Sequence, residues 1–315
     1  VIWRRIIRPL LPWLGRLVAL VLGLLALGYT AGLLLIARGE PAPGGVLPAG
    51  VPGRLVAAGG HMVHVVEAGD GPPVVLVHGF AGSTLDWEGP VMSGLARTHR
   101  VVALDLLGMG FSARSDDLEY GWPLWSTQVG AVMDALGIAR ASVVGQSLGG
   151  AVATVFAATY ADRIDKLVLV SPLVPLETSE RTWFFRLAEI PGVGEMMLGT
   201  ADHLPALPGF SEAYHARAHE IFQIRGTRAA LLRYLRHGHD PEQLALSYRS
   251  VGAPTLIVHG TADDVVPYKA LRRSVTAIEG ALVLPFEGAG HWIVRDAPDR
   301  LLAALGDFLD GAPNT

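Results

Sequence analysis

Ser142-Val143-Val144-Gly145-Gln146-Ser147-Leu148-Gly149-Gly150 reads as a short strand, then G-x-S-x-G, then a helix opening on Ala151-Val152-Ala153. A serine caught between a buried strand and a helix lies on a sharp, strained turn. Small neighbours such as Gly145 and Gly149 tolerate that turn, and the hydroxyl projects above the sheet. The helix start sets the positive end of a dipole beside Ser147 and leaves the Leu148 amide free to donate to an anion. Ser147 is therefore a candidate nucleophile.

A serine hydroxyl attacks poorly until a base takes its proton. Of the 11 histidines, His291 stands in Gly288-Ala289-Gly290-His291-Trp292, after the last predicted strand and before the final predicted helix. That loop lies on the same rim as Ser147. The imidazole needs a carboxylate to hold its tautomer, and Gly260-Thr261-Ala262-Asp263-Asp264-Val265-Val266-Pro267 offers two. Asp263, three residues after the glycine, is assigned to orient His291; Asp264 is read as the cap of the following helix. His78-Gly79-Phe80-Ala81-Gly82 ends another predicted strand. A glycine there lets the Phe80 amide face the same point as the Leu148 amide, forming an oxyanion hole. His78 is read as structural, its ring bonded to nearby backbone. Trp87 and Trp292, which adjoin these loops, are the substrate-pocket candidates.

Apolar runs at 74–77, 101–104, 142–145, 166–170, 255–258 and 281–284 lack strict alternation, as strands buried on both faces should. Two further runs, 54–57 and 62–67, suggest an antiparallel hairpin. Helical stretches are expected at 122–136, 148–160 and 298–309. The predicted architecture is α/β: a doubly wound, mostly parallel sheet opened by the hairpin, with a helical cap inserted where strand signals stop. Residues 54–172 and 251–312 would form the core and 173–250 the cap. Residues 39–53, with Pro41, Pro43, Pro48 and Pro52, read as a linker, and 1–38 as a basic segment with a membrane anchor.

On these motifs the chain resembles the α/β-hydrolase superfamily, in the serine-nucleophile esterase and lipase-like branch. The branch carries H-G-x, D-x-x-G-x-G-x-S, G-x-S-x-G, G-x-x-D-x-x-x-P and G-H motifs. They stand here at His78-Gly79-Phe80, Asp105 to Ser112, Gly145 to Gly149, Gly260 to Pro267 and Gly290-His291. The resemblance runs from about residue 54 to 310 and implies a hydrolase with no cofactor and no metal. The main expectation is cleavage of a lipid-like or other small-molecule ester with an apolar acyl group, a monoacylglycerol-like one included. Two alternatives stand beside it: a carbon-carbon bond hydrolase of ring-cleavage products, which uses the same triad, and an inactive binding module. Ser147 at the elbow argues against the dehalogenase and epoxide hydrolase branches, which place an aspartate there.

Leu17 to Ala37 is uncharged; at ~1.5 Å per helical residue it reaches ~31 Å, enough to cross a bilayer once. Arg4, Arg5, Arg8 and Arg16 precede it and only Arg38, balanced by Glu40, follows. The positive-inside rule then puts the N-terminus in the cytoplasm and the catalytic domain outside the cell membrane. The alternative is secretion after signal cleavage, although signal-peptide apolar regions are shorter. Gly28 and Gly32 form a G-x-x-x-G pair suited to a weak helix-mediated dimer.

Over 315 residues, 25 Lys plus Arg face 29 Asp plus Glu, and half the chain is hydrophobic. Disorder is excluded, and nucleic acid is not an expected partner. Beyond residue 40 the balance is 20 basic against 28 acidic side chains, which disfavours polyanionic substrates. Cysteine is absent, so thiol chemistry is excluded. Gly108 to Ala113 fits a dinucleotide fingerprint but opens no clear helix. His215 and His219, with His237 and His239, have metal-like spacing without completing H-E-x-x-H, and are read as solvated cap residues.

Overall fold

The computed structural model describes residues 8–37, 47–175, 183–200 and 210–311. Arg4, Arg5, part of the expected linker and parts of the expected cap lie outside the described residues. A helix, α1 (Arg8–Ala37), leads into a hairpin of β1 (Arg54–Ala58) and β2 (His61–Ala68). Strands β3 (Pro73–Val77), β4 (Arg100–Leu104), β5 (Ala141–Gln146), β6 (Ile164–Val170), β7 (Thr255–Gly260) and β8 (Leu282–Phe286) complete one eight-stranded sheet. The order is β1-β2-β4-β3-β5-β6-β7-β8. Only the β1–β2 and β2–β4 pairs are antiparallel. This is the α/β-hydrolase fold.

The sheet is buried on both faces, which explains the unbroken apolar runs. Val75, Val77 and Val143 face a layer built from α3 (Trp122–Ala135) and α4 (Leu148–Thr159). The alternate residues Val74, Leu76 and Val144 face α2 (Pro90–Leu95) and α12 (Pro298–Leu309). Between β6 and β7 the chain forms α5 (Trp183–Ala188), α6 (Val193–Gly199), α7 (Glu212–Gln223), α8 (Thr227–Arg233), a π-helical turn at Tyr234–Gly238 and α9 (Pro241–Ser250). After β7 come α10 (Tyr268–Val275) and, past β8, the short α11 (Ile293–Asp296).

Two expectations are corrected, and a third meets a competing contact. Asp264 caps no helix, because α10 opens only after Pro267, whose ring already sets the helical φ. The strand expected at 281–284 runs Leu282–Phe286, its end fixed by pairing of Phe286 with Gly260. The glycine face of α1 that suggested a dimer is partly filled by the chain's own cap. Gly32 is buried, and a Cβ there would stand 2.6 Å from the Glu195 Cβ on α6.

Candidate active site

Pairing of β3 with β5 brings Val77 level with Gly145, so both strands deliver their next residues to one rim. Ser147 sits there with φ 51° and ψ −117°. That conformation costs a non-glycine residue ~1–3 kcal/mol and persists only when its surroundings over-determine it. Here the Ser147 N–H donates to the Val170 carbonyl at 3.0 Å, and the Ser147 carbonyl accepts from Gly150 at 2.9 Å and Leu173 at 2.8 Å. A Cβ at position 149 would meet the Val77 carbonyl oxygen at 2.2 Å, and one at 145 the Gly149 oxygen at 2.2 Å. The motif's glycines are thus dictated by close backbone approach.

His291 Nε2 lies 2.9 Å from Ser147 Oγ, and His291 Nδ1 lies 2.8 Å from Asp263 Oδ2. The other carboxylate oxygen of Asp263 accepts from the Val265 and Val266 amides at 2.9 and 2.8 Å, which fixes the carboxylate plane. Asp263 and His291 are both buried. With Nδ1 donating to the carboxylate, Nε2 is left to accept the serine proton, the arrangement that general-base activation needs. Phe80 and Leu148 line the cavity that holds Ser147. Among the described residues neither amide donates to a protein group, so both N–H groups are available to an anion. A Cβ at Gly79 would stand 3.3 Å from the Ser147 Cβ, which shows how closely the Phe80 turn abuts the serine.

His78 is fully buried below this turn; its Nδ1 donates to the Gly79 carbonyl at 2.7 Å and its Nε2 accepts from Leu106 N–H at 3.0 Å. Both nitrogens are committed to backbone. Sequence reasoning missed His259, whose Nε2 donates to the Val266 carbonyl at 2.9 Å and lies 3.4 Å from Asp263 Oδ2. Burial pushes its pKa down against the pull of the Asp263 charge, so it packs beside the triad as a neutral ring. Its signal was its place at the carboxyl end of β7. Also missed was the buried pair His64–Asp105, 2.7 Å apart.

The cavity over Ser147 has a volume of ≈130 Å³ and is walled chiefly by Trp122, Phe185, Tyr234, Leu235 and Leu244. A dry apolar cavity of ~150 Å³ takes a benzene-sized guest. His239, expected in solvent, lines it as well. Neither tryptophan expected there does. Trp87 is wholly buried in the core on the α2 and α12 side of the sheet. Trp292 packs edge-on against His291 at 5.6 Å and lines a separate cavity of ≈630 Å³ with Asp86, Gln146, Phe210, Tyr214 and Arg295. The short turn at Thr84–Trp87 carries Trp87 to the α2 and α12 side of the sheet, and the Trp292 ring meets Phe210 edge-on at 5.7 Å in the separate cavity.

Residues 72–216 match a family model described as the alpha/beta hydrolase fold. The chain is 30% identical over 277 residues to a 2-hydroxy-6-oxo-2,4-heptadienoate hydrolase of Pseudomonas putida, covering 82% of this chain and 96% of that protein. It is 28% identical over 283 residues to a 2-hydroxymuconate semialdehyde hydrolase of a Pseudomonas species, covering 82% and 93%. In three dimensions it resembles the meta-cleavage product hydrolase of Pseudomonas fluorescens, with TM-score 0.67 and 24% identity over 83% of this chain and 99% of that one.

Proposed function

The chain belongs to the α/β-hydrolase family, and from that premise we propose that it is a serine hydrolase that cleaves a carbon-carbon bond beside a ketone, in a substrate of the ring-cleavage product type. The observation that carries this reading is the near full-length similarity to hydrolases of 2-hydroxy-6-oxo-dienoate type. Such compounds contain no ester or amide, so their hydrolysis must break a bond from the ketone carbon to its neighbour. Ser147 Oγ adds to the ketone as His291 takes its proton, and the Phe80 and Leu148 amides hold the resulting oxyanion. Collapse takes place from the 2-oxo-3-ene tautomer, reached when the 2-hydroxyl proton moves to C5: C5 leaves as a dienolate delocalised onto the 2-oxo group, takes the proton held by His291, and leaves an acyl-serine. Water, activated by the same histidine, releases the acid and restores Ser147.

One observation favours a second reading, hydrolysis of an apolar ester by the same steps with an alcohol as leaving group. Among the described residues, those that wall the Ser147 cavity include no lysine or arginine to hold a dienoate carboxylate. Two assays separate the readings: loss of the dienoate chromophore, and p-nitrophenyl ester turnover across acyl lengths. Dienoate turnover that disappears in Ser147→Ala supports the first reading; turnover of esters alone replaces it with the second. Activity with neither, together with failure of a fluorophosphonate to label Ser147, would leave a binding module.

We further propose that the apolar part of α1 anchors the protein in the cell membrane with the catalytic domain on the extracytoplasmic side. The support is the run Pro12–Ala37, which contains an 18-residue stretch of mean hydropathy 2.3, and the arginine-rich flank before it. Protease added to intact cells should remove the catalytic domain; full protection would reverse the orientation.

A further inference from the structure

The less exposed positions of α1 are Gly28, Ala31, Gly32, Leu35 and Ile36, one stripe at helical spacing in its last three turns. Against that stripe lies α6, at backbone distance. A Cβ at Gly32 would stand 2.6 Å from the Glu195 Cβ, and a Cβ at Gly199 2.6 Å from the Leu35 Cβ. Glu195 is itself buried, its two carboxylate oxygens held by Arg236 at 2.8 and 2.7 Å, and one of them also accepts from the Gly192 amide at 2.8 Å. Arg236 follows Tyr234 and Leu235, which wall the Ser147 cavity. The apolar helix is thereby braced, through one ion pair, against the substrate site.

Length makes this packing consequential. The uncharged run that is free of the stripe, residues 17–27, covers only ~17 Å at ~1.5 Å per residue, against a hydrocarbon core of ~30 Å. To cross, α1 must carry its last ten residues, ~15 Å of helix, into the hydrocarbon together with whatever is packed on them. The outer surface of the cap suits that environment. Met196 on α6 is 36% exposed, and Leu187 near the end of α5 and Ile190 just after it are 38% and 46% exposed. The one charge on α6, Glu195, is neutralised by Arg236 and hidden from that surface. At the other end of α1 the Arg16 guanidinium lies 5.2 Å over the Trp13 ring, a pairing suited to the opposite interface.

We propose that the cap is a membrane-inserted element. On this account α6 enters one leaflet beside α1 with Leu187 and Ile190 at its edge. The rest of α5, with exposed Arg186 at headgroup level and Phe185 in the wall of the Ser147 cavity, lies at the lipid boundary, and Glu189 is paired with His239. The substrate is then a carbonyl compound whose acyl part is apolar enough to enter the bilayer, any carboxylate it carries staying at headgroup level. This rests on α1 spanning the membrane, and the test keeps the two apart.

The chain has no cysteine, so single variants Leu24→Cys, Met196→Cys and Leu246→Cys of the full chain can each carry an environment-sensitive fluorophore. Leu246 is 60% exposed on α9, which packs on α4 and α10 of the core. In phosphatidylcholine vesicles, nitroxides on the acyl chains should quench the labels at 24 and 196 and spare the label at 246, whereas aqueous iodide should quench only 246. Lipid quenching at 24 with iodide quenching at 196 overturns the inserted cap and leaves the anchor standing. Iodide quenching at both positions overturns the anchor and the proposal together. Adding Gly32→Leu should force α1 off α6 and return the label at 196 to iodide while 24 stays in lipid. An unmoved 196 label would overturn the role given to α1.

Discussion

The Asp105 carboxylate, outside the triad, collects three donors, as many as the Asp263 carboxylate does. One oxygen accepts from Thr84 N–H at 2.6 Å; the other accepts from Phe111 N–H at 2.7 Å and pairs with His64 Nδ1. Burial raises the Asp105 pKa, but the hydrogen bond and charge of His64 outweigh it and hold the carboxyl below its usual range. For His64, burial lowers the pKa, and the hydrogen bond and charge of Asp105 outweigh that and raise it. The carboxylate's contribution to stability is therefore lost as pH falls below about 4, and the imidazolium's as pH rises beyond about 6.5 through its raised folded value. Asp105→Asn should cost roughly 3–5 kcal/mol near pH 5. Urea melts should show the difference from wild type narrowing on both sides, and a pH-independent gap would remove charge from the account. At the elbow, Ser147→Ala and Ser147→Gly should both abolish turnover and fluorophosphonate labelling. The glycine variant should be the more stable by about 1 kcal/mol, because it alone is unstrained at positive φ. Equal melting temperatures would contradict the strain. Asp263→Asn should lower kcat by roughly 10⁴-fold with little change in KM, through the wrong imidazole tautomer. A pH–rate profile with unchanged kcat would sink that role.

Whole elements were legible where their physics is local. The helix expected at 298–309 is α12, and that at 148–160 is α4 to within a residue, because apolar periodicity and a glycine-rich start are properties of the segment itself. Strand ends were less legible, since pairing with a neighbour sets them. Trp87 illustrates the limit. It stands beside a site loop in sequence, yet a one-turn helix at Thr84–Trp87 directs it into the opposite core. The elbow is the element most intolerant of change. Gly149→Ala places a methyl 2.2 Å from the Val77 carbonyl oxygen of β3, so β3 and α4 must separate. A loss of roughly 3 kcal/mol or more is expected in urea unfolding. A variant of normal stability would mean that the elbow can relax without strain.

At the scale of the molecule, an apolar helix with Leu20, Leu24 and Leu27 each about 60% exposed or more sets the solution behaviour. The protein should stay in the membrane pellet through alkaline carbonate extraction and leave it only with detergent. Release by carbonate would contradict the anchor. The residues of the candidate site were readable because strand-turn-serine-helix, G-x-x-D and G-H each mark a loop at the carboxyl end of a parallel strand, and all such loops meet on one rim. Sequence by itself determined the fold class, the nucleophile, base and carboxylate candidates, and the apolar segment, since each is written in the type and spacing of neighbouring residues. Tertiary structure alone decided which aromatic rings wall the serine, that Gly32 meets the chain's own cap, and that His64 and His259 sit against Asp105 and Asp263. Those contacts join residues far apart along the chain, and which of them form depends on strand order and helix packing.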